Sequence, residues 1–227
     1  MKILITGASG LIGKSIHQEL SKYHELILTD VVDGYISLDV TSEKSVENFF
    51  KSNKFEAVIH CAYPHLDNWG TKFEKVTYED FCGNISLQLG GAFNIIKNSC
   101  IKFEKSGGGS VVLLGSVSGS MSPRFDTYEG LPMTTPVAYS CIKSALISLI
   151  KYSVKYYANK NIRINAVSPS GIIDNQNPIF LERYRKYCLN KGMLDAADVV
   201  GAIKFLISDD AMYVNGQNLI VDDGFTL

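Results

Sequence analysis

Two side chains in the middle of the chain, Tyr139 and Lys143, stand four positions apart in the run Tyr-Ser-Cys-Ile-Lys. On a helix that spacing sets both on one face, a turn apart. A phenol holds its proton to about pH 10, and a neighbouring ammonium is expected to bring Tyr139 down toward working pH. A phenol so placed can donate or accept a proton in general acid–base catalysis. Ser116 follows an apolar run, and its hydroxyl could polarise a carbonyl. The spacing alone is a weak signal, because 12 tyrosines among 18 lysines give about one such pair by chance. Two further copies exist, Tyr156 with Lys160 and Tyr187 with Lys191. Neither helix follows a serine-bearing strand directly, so both read as solvated helix faces.

Alternating elements must position these groups. Short apolar runs predict strands at Lys2–Thr6, Glu25–Thr29, Ala57–Cys61, Ser110–Leu114, Ile162–Val167 and Leu219–Val221. Between them, helical periodicity predicts Leu11–Tyr23, Ser42–Lys51 with Ser42 as N-cap, Tyr78–Lys105, Pro136–Tyr157 and Ala196–Ser208. Strand–helix alternation of this kind implies a parallel sheet covered on both faces, with ligands at the carboxyl ends of its strands. A short third strand is expected at Ile36–Leu38. Only about six residues precede it, too few for the roughly dozen-residue helical crossover, so that connection is shortened. The expected architecture is a single α/β domain, residues 1–227, with a doubly wound parallel sheet of Rossmann type.

The segment Thr6-Gly-Ala-Ser-Gly-Leu-Ile-Gly13 joins the first strand to the first helix. Glycines at 7, 10 and 13 let the backbone turn tightly and approach a pyrophosphate, which the helix N-terminus favours electrostatically. Gly7, Ser9, Gly10, Leu11, Ile12 and Gly13 are therefore candidate dinucleotide-binding residues. Asp30 ends the second strand, where a carboxylate can accept both adenosine ribose hydroxyls and repel a 2′-phosphate. No lysine or arginine lies between Glu25 and Lys44. NAD is expected as the cofactor, with NADH preferred over NADPH.

The remaining composition excludes several classes. The net charge is -1 and no basic run appears, which argues against nucleic acid or an anionic membrane as partner. The longest apolar stretches look short for a membrane span, and Lys2 already enters a strand, so neither a span nor an export leader is expected. Cysteines 61, 82, 100, 141 and 188 show no metal spacing and read as reduced thiols of a cytoplasmic protein; no metal site is expected.

Along its whole length the chain resembles the short-chain dehydrogenases/reductases. The carriers are TGASGLIG (6–13), LDVTSEKSV (38–46), GSVSG (115–119), YSCIK (139–143), RINAVSPSGI (163–172) and YVNGQNLIVDDG (213–224). The resemblance implies Tyr139 as acid/base, Lys143 on the nicotinamide ribose and Ser116 orienting substrate. It implies Asp39 and Val40 beside the adenine, Cys61, Ala62 and Tyr63 along the ribose, and Pro169, Gly171 and Ile172 at the nicotinamide. It also implies a homodimer or homotetramer.

Departures from the family pattern are local. The glycine spacing is GxxGxxG, Cys61-Ala62-Tyr63 replaces Asn-Ala-Gly, Ser170 splits a Pro-Gly pair, and Asp222-Asp223 stand where two glycines are usual. Gln88 aligns with the family's proton-relay asparagine, and Asn84, a turn earlier, is its rival.

Residues 120–136 form an insertion near the active site. They and MTTPVAYSCIK (133–143) are similar to oxidoreductases of surface-sugar and flagellin-glycan synthesis. The expected substrate is a small polar molecule, a sugar phosphate or nucleotide-linked sugar. Its expected pocket is bordered by residues 63–69, the insertion with Arg124, and a lid bearing Arg183, Arg185 and Lys186, which are expected to grip a phosphate. An NAD-sensing regulator and a sugar-nucleotide epimerase or dehydratase are the alternatives. Retention of Ser116, Tyr139 and Lys143 argues against the first. The mere 55 residues after Ile172 argue against the second.

Overall fold

Along the first strand, β1 (Lys2–Thr6), successive side chains divide the core in two. Ile3 and Ile5 face one layer and Leu4 the other, all fully buried. This is the period-two pattern of a strand covered on both faces. The computed structural model describes residues 1–227 and continues the sheet through β2 (Glu25–Asp30), β3 (Ile36–Ser37), β4 (Ala57–His60), β5 (Gly109–Leu114), β6 (Ile162–Pro169) and β7 (Asn218–Val221). All seven strands are parallel, in the order β3-β2-β1-β4-β5-β6-β7. The order reverses direction between β1 and β4, so the carboxyl ends of those strands open a crevice.

The helices are α1 (Leu11–Leu20), α2 (Glu43–Ser52), α3 (Tyr78–Ser106), α4 (Val137–Tyr156), α5 (Pro178–Arg185) and α6 (Val200–Ile207). Val46, Phe49, Ile95, Phe103, Leu146 and Ile150 bring α2, α3 and α4 onto one face of the sheet. Ile16, Leu20, Ile203 and Leu206 bring α1 and α6 onto the other. Each such side chain contributes about 1.5–3 kcal/mol on burial. Ser42 caps α2 as expected, its hydroxyl accepting the Ser45 amide at 3.2 Å. Thr77 caps α3 in the same way through the Asp80 amide.

The β2–β3 connection has no helix. Five residues turn the chain, with Gly34 at φ +88°, a conformation that suits glycine. Leu38, expected at the end of β3, instead points into the core. The helix expected over Ala196–Ser208 begins as a 3-10 turn, Ala196–Val199, held by a reciprocal capping box between Asp195 and Asp198. The first helix stops at Leu20, where the Tyr23 and His24 amides both turn back to the Leu20 carbonyl. By length and composition α4 could cross a membrane, contrary to the expectation of short apolar stretches only. In this fold its Ala138, Ile142, Leu146 and Ile150 are buried, and it packs on α3 and β6.

Candidate active site

A cavity of about 580 Å³ opens at the carboxyl ends of the central strands. Ser116, Tyr139, Lys143 and Gln88 all line it, together with the glycine loop and the segment after β6. Ser116 begins the turn after β5, where its Oγ accepts the Ser118 amide at 3.1 Å. That turn lies directly against α4: a Cβ at Gly119 would meet the Lys143 backbone at 2.7 Å, and the Ser144 hydroxyl donates to the Gly119 carbonyl at 2.8 Å. The segment GSVSG thus positions the serine and the lysine relative to each other.

Lys143 Nζ donates to the Leu114 carbonyl at 2.7 Å and lies 5.5 Å from the Tyr139 ring centroid and 5.7 Å from that of Tyr63. Burial pushes its ammonium down to about 8. Burial also pushes the Tyr139 phenol up, and a hydroxyl contact from Ser116 offsets this only in part. The expectation that the Tyr139 pKa falls toward working pH is therefore corrected: burial holds the phenol above its ordinary value. The Lys143 ammonium is directed at the Leu114 carbonyl. Tyr63, the unusual residue after Ala62, packs edge-on against Tyr139 at 5.8 Å, and Trp69 completes the cluster at 5.8 Å from Tyr63 and 6.2 Å from Tyr139.

The glycine loop forms a cradle. Gly7 has φ +68°, and a Cβ there would strike the Ala62 backbone at 2.5 Å. A Cβ at Gly13 would strike the Gly7 carbonyl at 2.3 Å. Gly10 faces open space apart from that carbonyl at 3.4 Å, so a ligand can approach its backbone closely. Leu11 and Ile12 line the same cavity, as do Cys61, Ala62, Pro169, Gly171 and Ile172.

Asp30 lies beside the loop, where one carboxylate oxygen accepts the Ser9 amide at 3.0 Å and the Ser9 hydroxyl at 2.7 Å. Burial works to raise its pKa, but the hydrogen bonds from Ser9, Val31 and Val32 hold the carboxyl below its ordinary value. Asp39 and Val40 lie outside the cavity walls. The Asp39 carboxylate accepts from the Thr41 amide and hydroxyl at 2.9 Å and 2.7 Å, and Val40 is packed under Gly91 of α3.

Three residues of the cavity lining, Gln88, Arg124 and Ser170, have buried polar atoms with unmet hydrogen-bonding capacity. Both polar atoms of the Gln88 side chain are buried without a partner, and so is the Ser170 hydroxyl. Such orphaned groups are rare and mark a site where something else must bond. Asn84, the rival to Gln88, is satisfied within the fold. Its oxygen accepts the Leu66 amide at 3.0 Å, and its nitrogen donates to the Asp80 carbonyl at 2.8 Å. Tyr184 is a residue that sequence reasoning missed: its hydroxyl accepts the Gly171 amide at 2.6 Å and ties α5 to the segment after β6. Only the tertiary fold brings these two together.

At the substrate end the structure corrects the expected lid. Arg183 donates to the Glu129 carbonyl at 2.5 Å, Arg185 to the carbonyls of Asn190 and Lys191, and Lys186 pairs with Glu182. None of the three lines the cavity. Their helix turns them outward because its inner face carries Phe180 and Tyr184, which pack with Met193 and Phe225. The insertion does reach the cavity, through Arg124, Tyr128, Thr134 and Thr135. Phe225, near the end of the chain, also reaches it, and no local pattern announced this.

The comparisons with known proteins agree with this geometry. Residues 8–226 match the family model described as Enoyl-(Acyl carrier protein) reductase. A post-translational flagellin modification protein A of Campylobacter coli is 35% identical over 99% of this chain and 98% of its own length. A crystal structure of a short-chain dehydrogenase from Leptospira borgpetersenii with bound NAD+ superposes with a TM-score of 0.89 at 30% identity, over 100% of this chain and 92% of that one. A gluconate 5-dehydrogenase of Burkholderia cenocepacia, solved with NADP and tartrate, shares the fold at a TM-score of 0.87 and 18% identity, over 99% and 94% of the two chains. The chain belongs to the short-chain dehydrogenase/reductase family and is an oxidoreductase acting on CH–OH groups.

Proposed function

We propose that the chain interconverts a carbonyl and a hydroxyl on a small polar substrate, a sugar phosphate or nucleotide-linked sugar, with NAD(H). The observation that carries this reading is the convergence of Ser116, Tyr139 and Lys143 on one cavity with the glycine cradle. The residues present fit a nicotinamide dinucleotide. A Cβ at Gly10 would intrude on the approach to the loop backbone, and Asp30, held beside the loop by Ser9, would accept the adenosine ribose diol. Gly7, Ser9, Gly10, Leu11, Ile12, Gly13 and Asp30 would hold the adenosine diphosphate half. Asp39 and Val40 would flank the adenine. Cys61, Ala62, Tyr63, Lys143, Pro169, Gly171 and Ile172 would hold the nicotinamide riboside. The cofactor supplies the hydride.

The chain's own residues then handle the proton and the oxygen. Ser116 hydrogen-bonds the substrate oxygen and orients it. Tyr139, held protonated by burial, donates its proton to that oxygen in reduction and recovers it in oxidation. Lys143 stabilises the phenolate formed when the proton leaves. Gln88, orphaned on the cavity wall, carries the relay back to solvent through a bridging water. Asp30, with no cation near it in sequence, favours NADH over NADPH.

The flagellin-modifying relative supports a carbohydrate substrate. Five free thiols fit a cytoplasmic enzyme. Work as a homodimer or homotetramer is proposed from the family alone. The test is NADH turnover against keto-sugars, their phosphates and nucleotide-sugars, beside simple ketones, steroids and acyl thioesters. The reading expects turnover in the sugar set. Activity confined to the apolar set would contradict it, and NADH binding with no turnover of any carbonyl would favour a sensor.

A further inference from the structure

Arg124 is the one arginine on the cavity wall, and no Asp or Glu pairs with it. Every ion pair in the chain is made by a lysine. The other three arginines donate to backbone carbonyls away from the cavity: Arg163 to Leu206 and Ser208, Arg183 to Glu129, and Arg185 to Asn190 and Lys191. Arg124 lines the cavity. Its Nη2 donates to the Phe225 carbonyl at 3.0 Å and reaches the Leu227 carbonyl at 3.5 Å, while its Nε is buried with no partner. The guanidinium carbon lies 4.1 Å from the Tyr187 ring centroid and 5.3 Å from that of Phe225, so the fork is held in place by stacking. The nearest carboxylate in sequence, Asp126, is engaged by the Tyr187 hydroxyl.

The charges around the cavity leave this cation a task. His60 lines the wall but is neutral at working pH, because burial holds it down at about 3. Lys143 is directed to the Leu114 carbonyl within the catalytic group. Asp174, on the segment leading to α5, is the one acid on the lining. A buried guanidinium N–H without a partner is costly unless something bonds it. A pre-oriented fork with a free buried donor suits an oxyanion. Arg124 also belongs to the insertion that meets α5 and the C-terminal turn, the part of the cavity remote in sequence from the glycine loop.

We infer that Arg124 is the specificity-determining residue for a negatively charged substituent on the substrate, a phosphate ester or a carboxylate. This rests on the oxidoreductase reading of the same site and replaces Arg183, Arg185 and Lys186 as the anion-recognising group.

Calorimetric titration of the NAD-loaded protein with three probes tests it: fructose 6-phosphate, glucuronate and fructose. The two anions are expected to bind at least about tenfold more tightly than fructose, and their ratio separates phosphate from carboxylate as the preferred group. Arg124→Gln should weaken the preferred anion by roughly 10- to 100-fold, the scale of a charge-assisted hydrogen bond, while changing fructose binding by less than about twofold. Arg124→Lys, which keeps the charge, should retain part of the preference. A merely structural role would weaken all three probes together.

Equal binding of fructose and both anions, no binding of either anion, or undiminished anion binding by Arg124→Gln would overturn the inference. If Arg124→Gln does not fold, a reduced preference in Arg124→Lys supports the fork, and an unchanged preference overturns it. Turnover of neutral ketoses without charge selectivity would sink this inference and leave the oxidoreductase reading standing. Charge selectivity without turnover of any carbonyl would do the reverse.

Discussion

The two ends of the cavity are built on different principles. The glycine end is a matter of backbone: β1, the turn and α1 are contiguous, and side chains at Gly7 or Gly13 would collide with main-chain atoms. The substrate end is a matter of side chains drawn from segments far apart in sequence. Tyr184 stacks on Phe225 at 4.2 Å, and Tyr128 meets Phe180 at 4.9 Å. The Asp223 carboxylate gathers the Asn190, Lys191 and Gly192 amides, which pull it down to about 2. One end is rigid and intolerant of change. The other can be reshaped by exchanging side chains, which is where a family with one chemistry can vary its substrates.

The largest effect that would sharpen this contrast comes from Gly13→Ala. Its new Cβ would meet the Gly7 carbonyl at 2.3 Å and the Ala8 Cα at 2.8 Å, and no flexible atom is there to yield. NADH affinity measured by fluorescence titration should fall roughly 100-fold, in line with overpacking costs of a few kcal/mol. Phe180→Leu, at the other end, should alter the KM for the carbonyl substrate and leave NADH binding within about twofold. Equal effects of the two variants on NADH would erase the distinction.

A smaller effect is expected within the cofactor end. Asp30→Ser should narrow the NADH preference by about 1–3 kcal/mol in the ratio of kcat/KM values, since a charge-assisted acceptor is lost and a repulsion removed. Tighter binding of NADPH than NADH by the wild type would contradict the assignment.

Lys143 gives a pH-dependent test. Its folded pKa, about 8, is depressed below the ordinary 10.5, so the ammonium is lost as pH rises through about 8. Carbonyl reduction should be level below that point and fall up to about tenfold per pH unit above it. The sign for stability is opposite to that of a paired cation. At neutral pH the buried charge opposes folding, and the penalty is relieved between about pH 8 and 10.5. Lys143→Met should therefore abolish turnover without lowering Tm. A rate still level at about pH 10, or a large drop in Tm, would contradict the account.

The smallest effect separates Gln88 from Asn84. Gln88→Ala removes two orphaned atoms and should slow turnover several-fold with little change in Tm. Asn84→Ala breaks two bonds and should cost about 1–2 kcal/mol of stability. Reversed outcomes would move the relay to Asn84.

Much of the fold was legible in the sequence because its signals are local. Ser42 caps a helix, the few residues before β3 leave no room for a helical crossover, and the strand alternation declares a parallel sheet. The glycine loop and the Tyr139–Lys143 pair were legible for the same reason, since each sits within one element or one junction. The lid was misread because Arg183 and Arg185 share a helix with Phe180 and Tyr184, and which face turns inward depends on Met193 and Phe225. The pKa of Tyr139 was misread because spacing along a helix does not say that Lys143 Nζ is bonded to Leu114, nor how dry the site is. Tyr184's hold on the Gly171 amide has no signature outside the folded chain.

The most direct test of the central claim is Tyr139→Phe, followed by single-turnover NADH oxidation alongside NADH titration. The phenol supplies the proton but not the cradle. The account predicts NADH affinity within about twofold of wild type and a hydride-transfer rate lower by roughly 10²–10⁴-fold. A variant that kept more than about a tenth of the wild-type rate would show that Tyr139 is not the acid.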